Sequence, residues 1–143
     1  MRVVLDTNEI LAAGTRWLMP ETQPNSLHQR LLAEVALRHT GLFTGQIVGE
    51  YVEKLLDLGH PHARVQAFLG WLLGAFEQVK IVSTDCDPAP FDPDDTVFIL
   101  CAIDGTAELL VTEDRHLLTL APHYATPQIR KAEDAGPTLG VHP

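Results

Sequence analysis

Four short apolar runs, separated by longer segments with helical periodicity, restrict the fold of this chain more than any other feature. The runs are RVVLD (2–6), GLFTG (41–45), VKIVS (79–83) and ELLVT (108–112), and short apolar runs of this kind are typical of buried strands. A strand that is followed each time by a helical crossover belongs to a parallel sheet. The order predicts an α/β fold whose parallel sheet has four strands, or five if HYATP (123–127) contributes one, with helices on both faces.

The intervening segments carry signals for the starts and ends of helices. The predicted helices cover 9–18, 27–39, 46–59, 63–78 and 96–105. Ser26 with Gln29 forms the pattern of a capping box, and Asp94 with Asp95 places acidic side chains at the positive end of the helix that follows them. The stretch MPETQPN (19–25) is interpreted as an inserted loop, and the tail 132–143 is expected to fray.

Length and composition favour one domain over residues 1–143. With 143 residues, of which 45% are hydrophobic, the chain is long enough to bury a continuous core. No apolar run is long enough to span a bilayer, and the N-terminus lacks the pattern of a signal peptide, so we expect a cytoplasmic protein without a membrane partner. Of the two cysteines, Cys101 lies within an apolar run and is expected to be a buried thiol.

The net charge limits how the chain could meet a nucleic acid. A formal charge of −9 repels a phosphate backbone over the surface as a whole. A function on RNA or DNA must therefore depend on a local site. Four basic residues are candidates for the rim of such a site: Arg16, Arg30, Lys54 and Arg115.

Four acids occupy positions where ligands collect in parallel sheets, outside the carboxyl ends of the strands. Asp6 ends the first strand, and Glu50 lies on the helix after the second. Asp95 opens the helix before the fourth strand, and Asp114 comes two residues after that strand. Each also has a purely structural interpretation, since the aspartates can cap helices and Glu50 can pair with Lys54. Their joint placement favours convergence in one crevice.

Convergent carboxylates need a cation, because like charges at short range oppose one another's ionisation. Oxygen ligands suit Mg²⁺ or Mn²⁺, which keep bound waters and also take phosphate oxygens from a substrate. A metal-activated water beside a held phosphoryl group is what phosphodiester hydrolysis requires. The four acids therefore predict a site for metal-dependent phosphodiester chemistry.

Three stretches resemble the PIN-domain family, and in particular the bacterial toxins of VapC-like toxin-antitoxin pairs. They are VVLDTN (3–8), GEYVEKL (49–55) and DPDDTVFILCAIDGTAELLVTEDRHLL (92–118). The resemblance covers residues 2–118. The last stretch is the most specific, because it combines an acid, an apolar helix, an apolar strand and the pattern Thr, any residue, Asp at fixed spacing.

The resemblance implies a three-layer α/β/α fold and a ribonuclease that depends on Mg²⁺ or Mn²⁺. The residues that match the family's catalytic and metal-binding acids are Asp6, Glu50, Asp95 and Asp114. The residues that match supporting polar positions are Asn8 and Thr112. The resemblance also implies RNA as substrate and products with a 5′-phosphate and a 3′-hydroxyl. It further implies a small antitoxin protein as partner and a homodimer as a possible assembly. Asp92 and Asp94 compete with Asp95 for the third place.

Two other functions are compatible with the same fold. One is a catalytically inactive PIN-fold module that binds a protein or RNA partner, with its acids acting as helix caps. The other is a nuclease that acts on DNA or on a particular nucleic-acid structure. A zinc site is disfavoured, because the seven histidines show no second pair with ligand spacing beyond His60 and His62, and we expect them at the surface.

Overall fold

A computed structural model describes residues 1–14, 18 and 26–142 of the protein. Its strands are β1 (Arg2–Leu5), β2 (Thr40–Phe43), β3 (Glu77–Gln78), β4 (Leu109–Val111) and β5 (Gln128–Arg130). Its helices are α1 (Thr7–Ala13), α2 (Leu27–Arg38), α3 (Gly45–Asp57), α4 (His62–Ala75), α5 (Thr96–Asp104), α6 (Arg115–Leu118) and α7 (Ala132–Leu139). Single 3₁₀ turns cover Pro93–Asp95 and Ala121–His123.

The five strands form one parallel sheet in the order β3-β2-β1-β4-β5. The first strand lies in the middle, with Val3 paired to Gly41 on one side and to Leu109 on the other. The chain extends the sheet first in one direction from β1 and then in the other, so the gap between β1 and β4 is the topological switch point. The predicted three-layer α/β/α fold is confirmed, with five strands.

The core lies on both faces of the central strands. Val3, Val4, Leu109 and Leu110 have no exposed surface. Complete burial explains why these strands appear in the sequence as continuous apolar runs rather than as an alternation of apolar and polar residues. Cys101 on α5 is buried as expected, and neither cysteine forms a disulfide.

The third strand lies earlier in the chain than predicted. VKIVS (79–83) does not form a strand, and β3 consists of Glu77 and Gln78 alone. The predicted helix over 63–78 accordingly ends at Ala75. Val79 N still donates to Phe43 O at 2.7 Å, but β2 ends at Phe43 and offers no further partner. Beyond this point the Asp104 carboxylate accepts from the backbone N–H groups of residues 82 and 83, which holds the chain away from the sheet.

Two other strand boundaries also differ from the predictions. The second strand stops before Thr44 because the Thr44 hydroxyl accepts from Ile47 N at 3.1 Å and caps α3. HYATP (123–127) is not the fifth strand, and β5 begins directly after it at Gln128. The fifth strand pairs with β4 from Leu109 onward.

The described part of the tail, residues 132–142, is ordered, contrary to the prediction that 132–143 frays. Residues Ala132–Leu139 form α7, which packs against α2 and buries Ala135 and Leu139. Gly140 has a φ of 94° and closes the helix, with Val141 N donating to the carbonyl of Gly136 at 2.8 Å. The apolar contacts of this short helix supply the order that its glycine and proline content did not suggest.

The first two helices, α1 and α2, lie before and after the residues that fall outside the described ranges. The predicted helix over 9–18 begins at Thr7, and α1 ends at Ala13. The capping box of Ser26 and Gln29 is confirmed at the start of α2. The proposed insertion MPETQPN (19–25) and the rim candidate Arg16 lie outside the described residues. No helix in the described ranges has the length and apolar character needed to cross a membrane.

We expect Gly41→Ala to destabilise the protein, because a Cβ at this position would lie 2.5 Å from the ring of Phe76. Overpacking of this kind costs about 1–3 kcal/mol in the free energy of unfolding, measurable by urea denaturation. Gly70→Ala is the matched control, since no atom lies within 4 Å of a Cβ there. This helical substitution should stabilise by about 0.5–1 kcal/mol. Equal stability of the two variants would contradict the packing around Gly41.

Candidate active site

Asp6 lies directly after β1, at the switch point of the sheet, and both oxygens of its carboxylate are held. Oδ1 accepts from Thr7 N at 2.7 Å, which caps α1, and Oδ2 accepts from Thr112 Oγ1 at 2.7 Å. The residue is only 5% exposed. The cap and the candidate catalytic group are thus the same side chain, so the two interpretations of Asp6 do not exclude each other.

Thr112 joins the acid after β1 to the acid after β4. Its buried hydroxyl donates to Asp6 and accepts from Asp114 N at 3.0 Å. The Asp114 carboxylate in turn accepts from His116 N at 2.8 Å at the start of α6. One threonine side chain therefore fixes the position of Asp6 relative to Asp114.

A buried tyrosine positions Glu50 on α3. The hydroxyl of the neighbouring Tyr51 donates to Leu5 O at 2.8 Å, one residue before Asp6. Tyr51 has no exposed surface, and burial raises the pKa of its phenol well above the usual value, so that it stays a donor. The tyrosine ties the helix that carries Glu50 to the end of β1.

Asp95 interacts electrostatically with each of the other three acids. Burial, followed by the negative charges of Asp114, Asp6, Asp92 and Glu50, raises the pKa of Asp95 to about 7. Its Oδ2 atom is buried and has no hydrogen-bond partner among the described residues. We call Asp6, Glu50, Asp95 and Asp114 the acidic tetrad.

Asp92 and Asp94 are less suited than Asp95 to the third place in the tetrad. Both side chains are exposed. The Asp92 carboxylate is engaged as a cap, where it accepts from Asp94 N at 2.9 Å. Asp95 is half-buried and has an unpartnered oxygen, so the geometry favours it over the two alternatives.

The pKa values of Asp6 and Glu50 are raised as well. For Asp6 the main cause is burial; the charge of Asp114 adds to it, and the hydrogen bonds from Thr112 and Thr7 oppose it. For Glu50 burial again dominates, and the Thr7 hydroxyl and Lys54 lower the pKa against it. The Thr7 Oγ1 atom is near Glu50, although it makes no hydrogen bond of standard geometry. The site favours protonation in the absence of a cation.

The donor set of the tetrad fits a hard divalent cation. All of its ligands are carboxylate oxygens, and the buried, unpartnered Oδ2 of Asp95 is an atom that a cation would satisfy. The ligand atoms of the tetrad are not all within 4.8 Å of one another. Among the described residues, the group that meets this distance lies elsewhere. Mg²⁺ retains several waters when it binds, so a wide carboxylate site suits it.

The other predicted residues differ in where the structure places them. Asn8 is exposed on α1, and the hydrogen bonds described for the Asp6 carboxylate come from Thr7 and Thr112 instead. Lys54 is exposed, and its positive charge, one helical turn from Glu50, lowers the pKa of the Glu50 carboxyl. Arg115 is exposed beside Asp114, whereas Arg30 donates to the backbone of the C-terminal tail at His142.

Sequence reasoning missed a second cluster next to the tetrad. The ligand atoms of Glu9, His28 and Glu113 all lie within 4.8 Å of one another, and we call this group the Glu9–His28–Glu113 trio. Glu9 is buried on α1, where an apolar residue would be expected from its neighbours. The histidine was predicted to be a surface residue; it is half-buried and contacts Glu9 at 2.7 Å.

The fold and the tetrad define a class: an α/β/α protein with a carboxylate site at the switch point of a parallel sheet. The sequence-family model of the PIN domain matches residues 2–116 of the chain. The chain therefore belongs to the PIN domain family, as its sequence motifs suggested.

A solved structure is similar over nearly the whole chain. It is a chain of the crystal structure of VapBC2 from Rickettsia felis bound to a DNA fragment from their promoter. The similarity covers 92% of this chain and 98% of that one, with a TM-score of 0.60 and 16% sequence identity. At this identity the likeness concerns the fold alone. Comparison with curated proteins gives no significant match.

We expect Asp95 to make the metal-free protein less stable as the pH rises. Its pKa of about 7 in the folded protein lies above the ordinary aspartate value of 3.8. Between these values the folded state binds the extra proton, so the stability present at low pH is lost as the pH rises through about 7. In EDTA, Asp95→Asn should exceed the parent in stability at about pH 8 by roughly 1–2 kcal/mol, after allowance for solvent screening, and match it near pH 4.

Urea unfolding at several pH values between these limits measures the effect. Asp57→Asn, which changes an exposed acid at the end of α3, is the control and should follow the parent. A constant difference between Asp95→Asn and the parent at all pH values would contradict the placement of Asp95 among the other acids.

Proposed function

We propose that the protein is a metal-dependent endoribonuclease that hydrolyses RNA phosphodiester bonds. The observation that carries the proposal is Asp95, whose buried, unpartnered oxygen lies within electrostatic reach of the other three tetrad acids. Such an arrangement is unfavourable without a cation. Membership of the PIN domain family supports the same conclusion.

In this proposal Asp6, Asp95 and Asp114 hold Mg²⁺ or Mn²⁺, with Glu50 as a further ligand or as the base. The bound ion would activate water and hold a phosphoryl oxygen. Thr112 keeps Asp6 and Asp114 in register, and Tyr51 holds the helix that carries Glu50.

Glu50 is suited to accept a proton from the attacking water. Its pKa lies above the usual value because of burial, which brings it nearer to the pH of the cell. Transfer of that proton to Glu50 leaves a hydroxide to attack phosphorus. The bond between phosphorus and the 3′-oxygen then breaks, and the departing 3′-oxygen takes a proton from solvent water, which yields a 5′-phosphate and a 3′-hydroxyl.

Basic residues beside the tetrad reduce the electrostatic repulsion that an anionic substrate meets. Lys54 lies one turn from Glu50, and Arg115 follows Asp114; both side chains are exposed. With the tetrad charge cancelled by a cation, these groups favour approach of a phosphate backbone despite the overall charge of −9.

An exposed pair of rings near Asp114 favours a single-stranded substrate. Phe91 is 85% exposed and stacks on His116, with the ring centroids 5.2 Å apart. His116 N donates to the Asp114 carboxylate. Single-stranded RNA has unpaired bases that stack on such rings, whereas the bases of a duplex are not available.

The biological role in this proposal is that of the toxin in a toxin-antitoxin pair. The similar solved structure is that of VapBC2 bound to a DNA fragment from their promoter, and the sequence motifs resemble VapC-like toxins. A small antitoxin protein is accordingly the proposed partner, a homodimer is a proposed assembly, and the cytoplasm is the proposed location.

Cleavage of a labelled single-stranded RNA by the purified protein tests this function. We expect cleavage with Mn²⁺, none with EDTA, and a loss of at least about a hundredfold in Asp6→Asn and Glu50→Gln, since each change removes a ligand or base. Glu53→Gln, an exposed acid on the same helix as Glu50, should retain the parent activity.

Two outcomes would redirect the proposal. Equal or greater cleavage of single-stranded DNA would favour the DNA-directed nuclease. No cleavage, together with no change in Tm on addition of Mn²⁺, would favour the inactive binding module with acids that only cap helices.

We expect Phe91→Ala to raise KM for single-stranded RNA by about 5–160-fold, because one stacked base is worth about 1–3 kcal/mol. The value of kcat should change little, since Phe91 stacks on His116 and is neither a proposed metal ligand nor the proposed base. Phe91→Trp preserves a stacking surface and should keep the parent KM. An unchanged KM in Phe91→Ala would exclude this ring from substrate binding.

A further inference from the structure

The Glu9–His28–Glu113 trio brings together side chains from three separate elements. Glu9 lies on α1, His28 on α2, and Glu113 in the loop between β4 and α6. Their candidate ligand atoms all lie within 4.8 Å of one another. The cluster is distinct from the tetrad, with which it shares no residue.

Glu9 is the unusual member, because its carboxylate is buried and only partly satisfied. The side chain is 2% exposed. Oε2 lies 2.7 Å from His28 Nδ1, but Oε1 is buried and has no hydrogen-bond partner among the described residues. A buried carboxylate oxygen without a partner is costly, and a bound cation would remove that cost.

Glu113 closes the cluster from the solvent side. Its Oε1 accepts from Ala132 N at 3.1 Å, so the carboxylate is anchored to the start of α7. Glu113 is exposed and His28 is half-buried. An ion could therefore reach the buried Glu9 carboxylate from solvent between these two side chains.

We propose that the trio is a second metal site, which binds a transition-metal ion of the Zn²⁺ type. One imidazole nitrogen and two carboxylate oxygens are ligands that Zn²⁺ accepts, whereas Mg²⁺ prefers oxygen alone. Three protein ligands leave a further position for water. The two sites thus differ in the class of ion they select.

Such an ion would link three elements that border the tetrad. Glu9 belongs to the helix that Asp6 caps, and Glu113 precedes Asp114. A metal bond to both would hold the two tetrad acids through their own backbone segments. The proposed role is structural reinforcement of the neighbouring site, and it does not depend on whether that site cleaves RNA.

The test measures the Tm of the metal-stripped protein with and without Zn²⁺. At a free Zn²⁺ concentration of roughly a hundred times Kd, we expect the parent Tm to rise by about 5–10 °C. His28→Gln and Glu113→Gln should each lose most of this rise. Glu113 is exposed, so its variant tests the site with little risk to folding.

Two control variants locate the ion. Asp95→Asn removes one acid of the tetrad, and His62→Gln removes an exposed histidine at the start of α4; both should keep the Zn²⁺-dependent rise. Loss of the rise in Asp95→Asn alone would place the ion in the tetrad and overturn the proposal. It would also be overturned by no rise in the parent, or by equal rises in all variants.

Discussion

Mutual repulsion among carboxylates is the constraint around which this molecule is organised. Each tetrad acid comes from a different segment of the chain, and burial together with the charges of the other three raises the pKa of Asp95 to about 7. The parallel pairing of β1 with β4 brings Asp6 beside the loop of Asp114. The Thr112 hydroxyl then fixes the Asp6 carboxylate, and the Tyr51 hydroxyl ties the helix that carries Glu50 to the end of β1.

The same constraint gives the two clusters their different characters. The tetrad contains only oxygen ligands, has a wide spacing, and lies where basic and aromatic side chains border it. The trio is tighter, includes an imidazole, and buries one carboxylate almost completely. Ligand chemistry therefore separates a site suited to an exchangeable, hydrated cation from one suited to a more tightly held ion.

Much of the architecture could be predicted because periodicity and caps are local. The apolar runs identified β1 and β4, and Ser26 with Gln29 identified the start of α2. VKIVS was misassigned because strand pairing depends on where β2 ends, and the tail was misassigned because packing on α2 orders it. These are tertiary effects, which no local pattern contains.

Asp6 and Asp114 follow the ends of strands that the sequence predicts, whereas the side chains that hold the tetrad in place gave no such signal. Tyr51 appears in the sequence as one more core residue of an apolar stripe, yet its hydroxyl contacts the end of β1. Glu9 and His28 are too far apart in the chain for a motif to join them. Glu9 itself gave one usable signal, a charged residue next to the buried Ile10.

Anomalous diffraction from crystals of the protein grown with Mn²⁺ tests the central claim most directly. We expect a Mn²⁺ peak in contact with the carboxylates of Asp6, Asp95 and Asp114, with Oδ2 of Asp95 among its ligands. The absence of an anomalous peak at the tetrad, in crystals grown with saturating Mn²⁺, would contradict the claim.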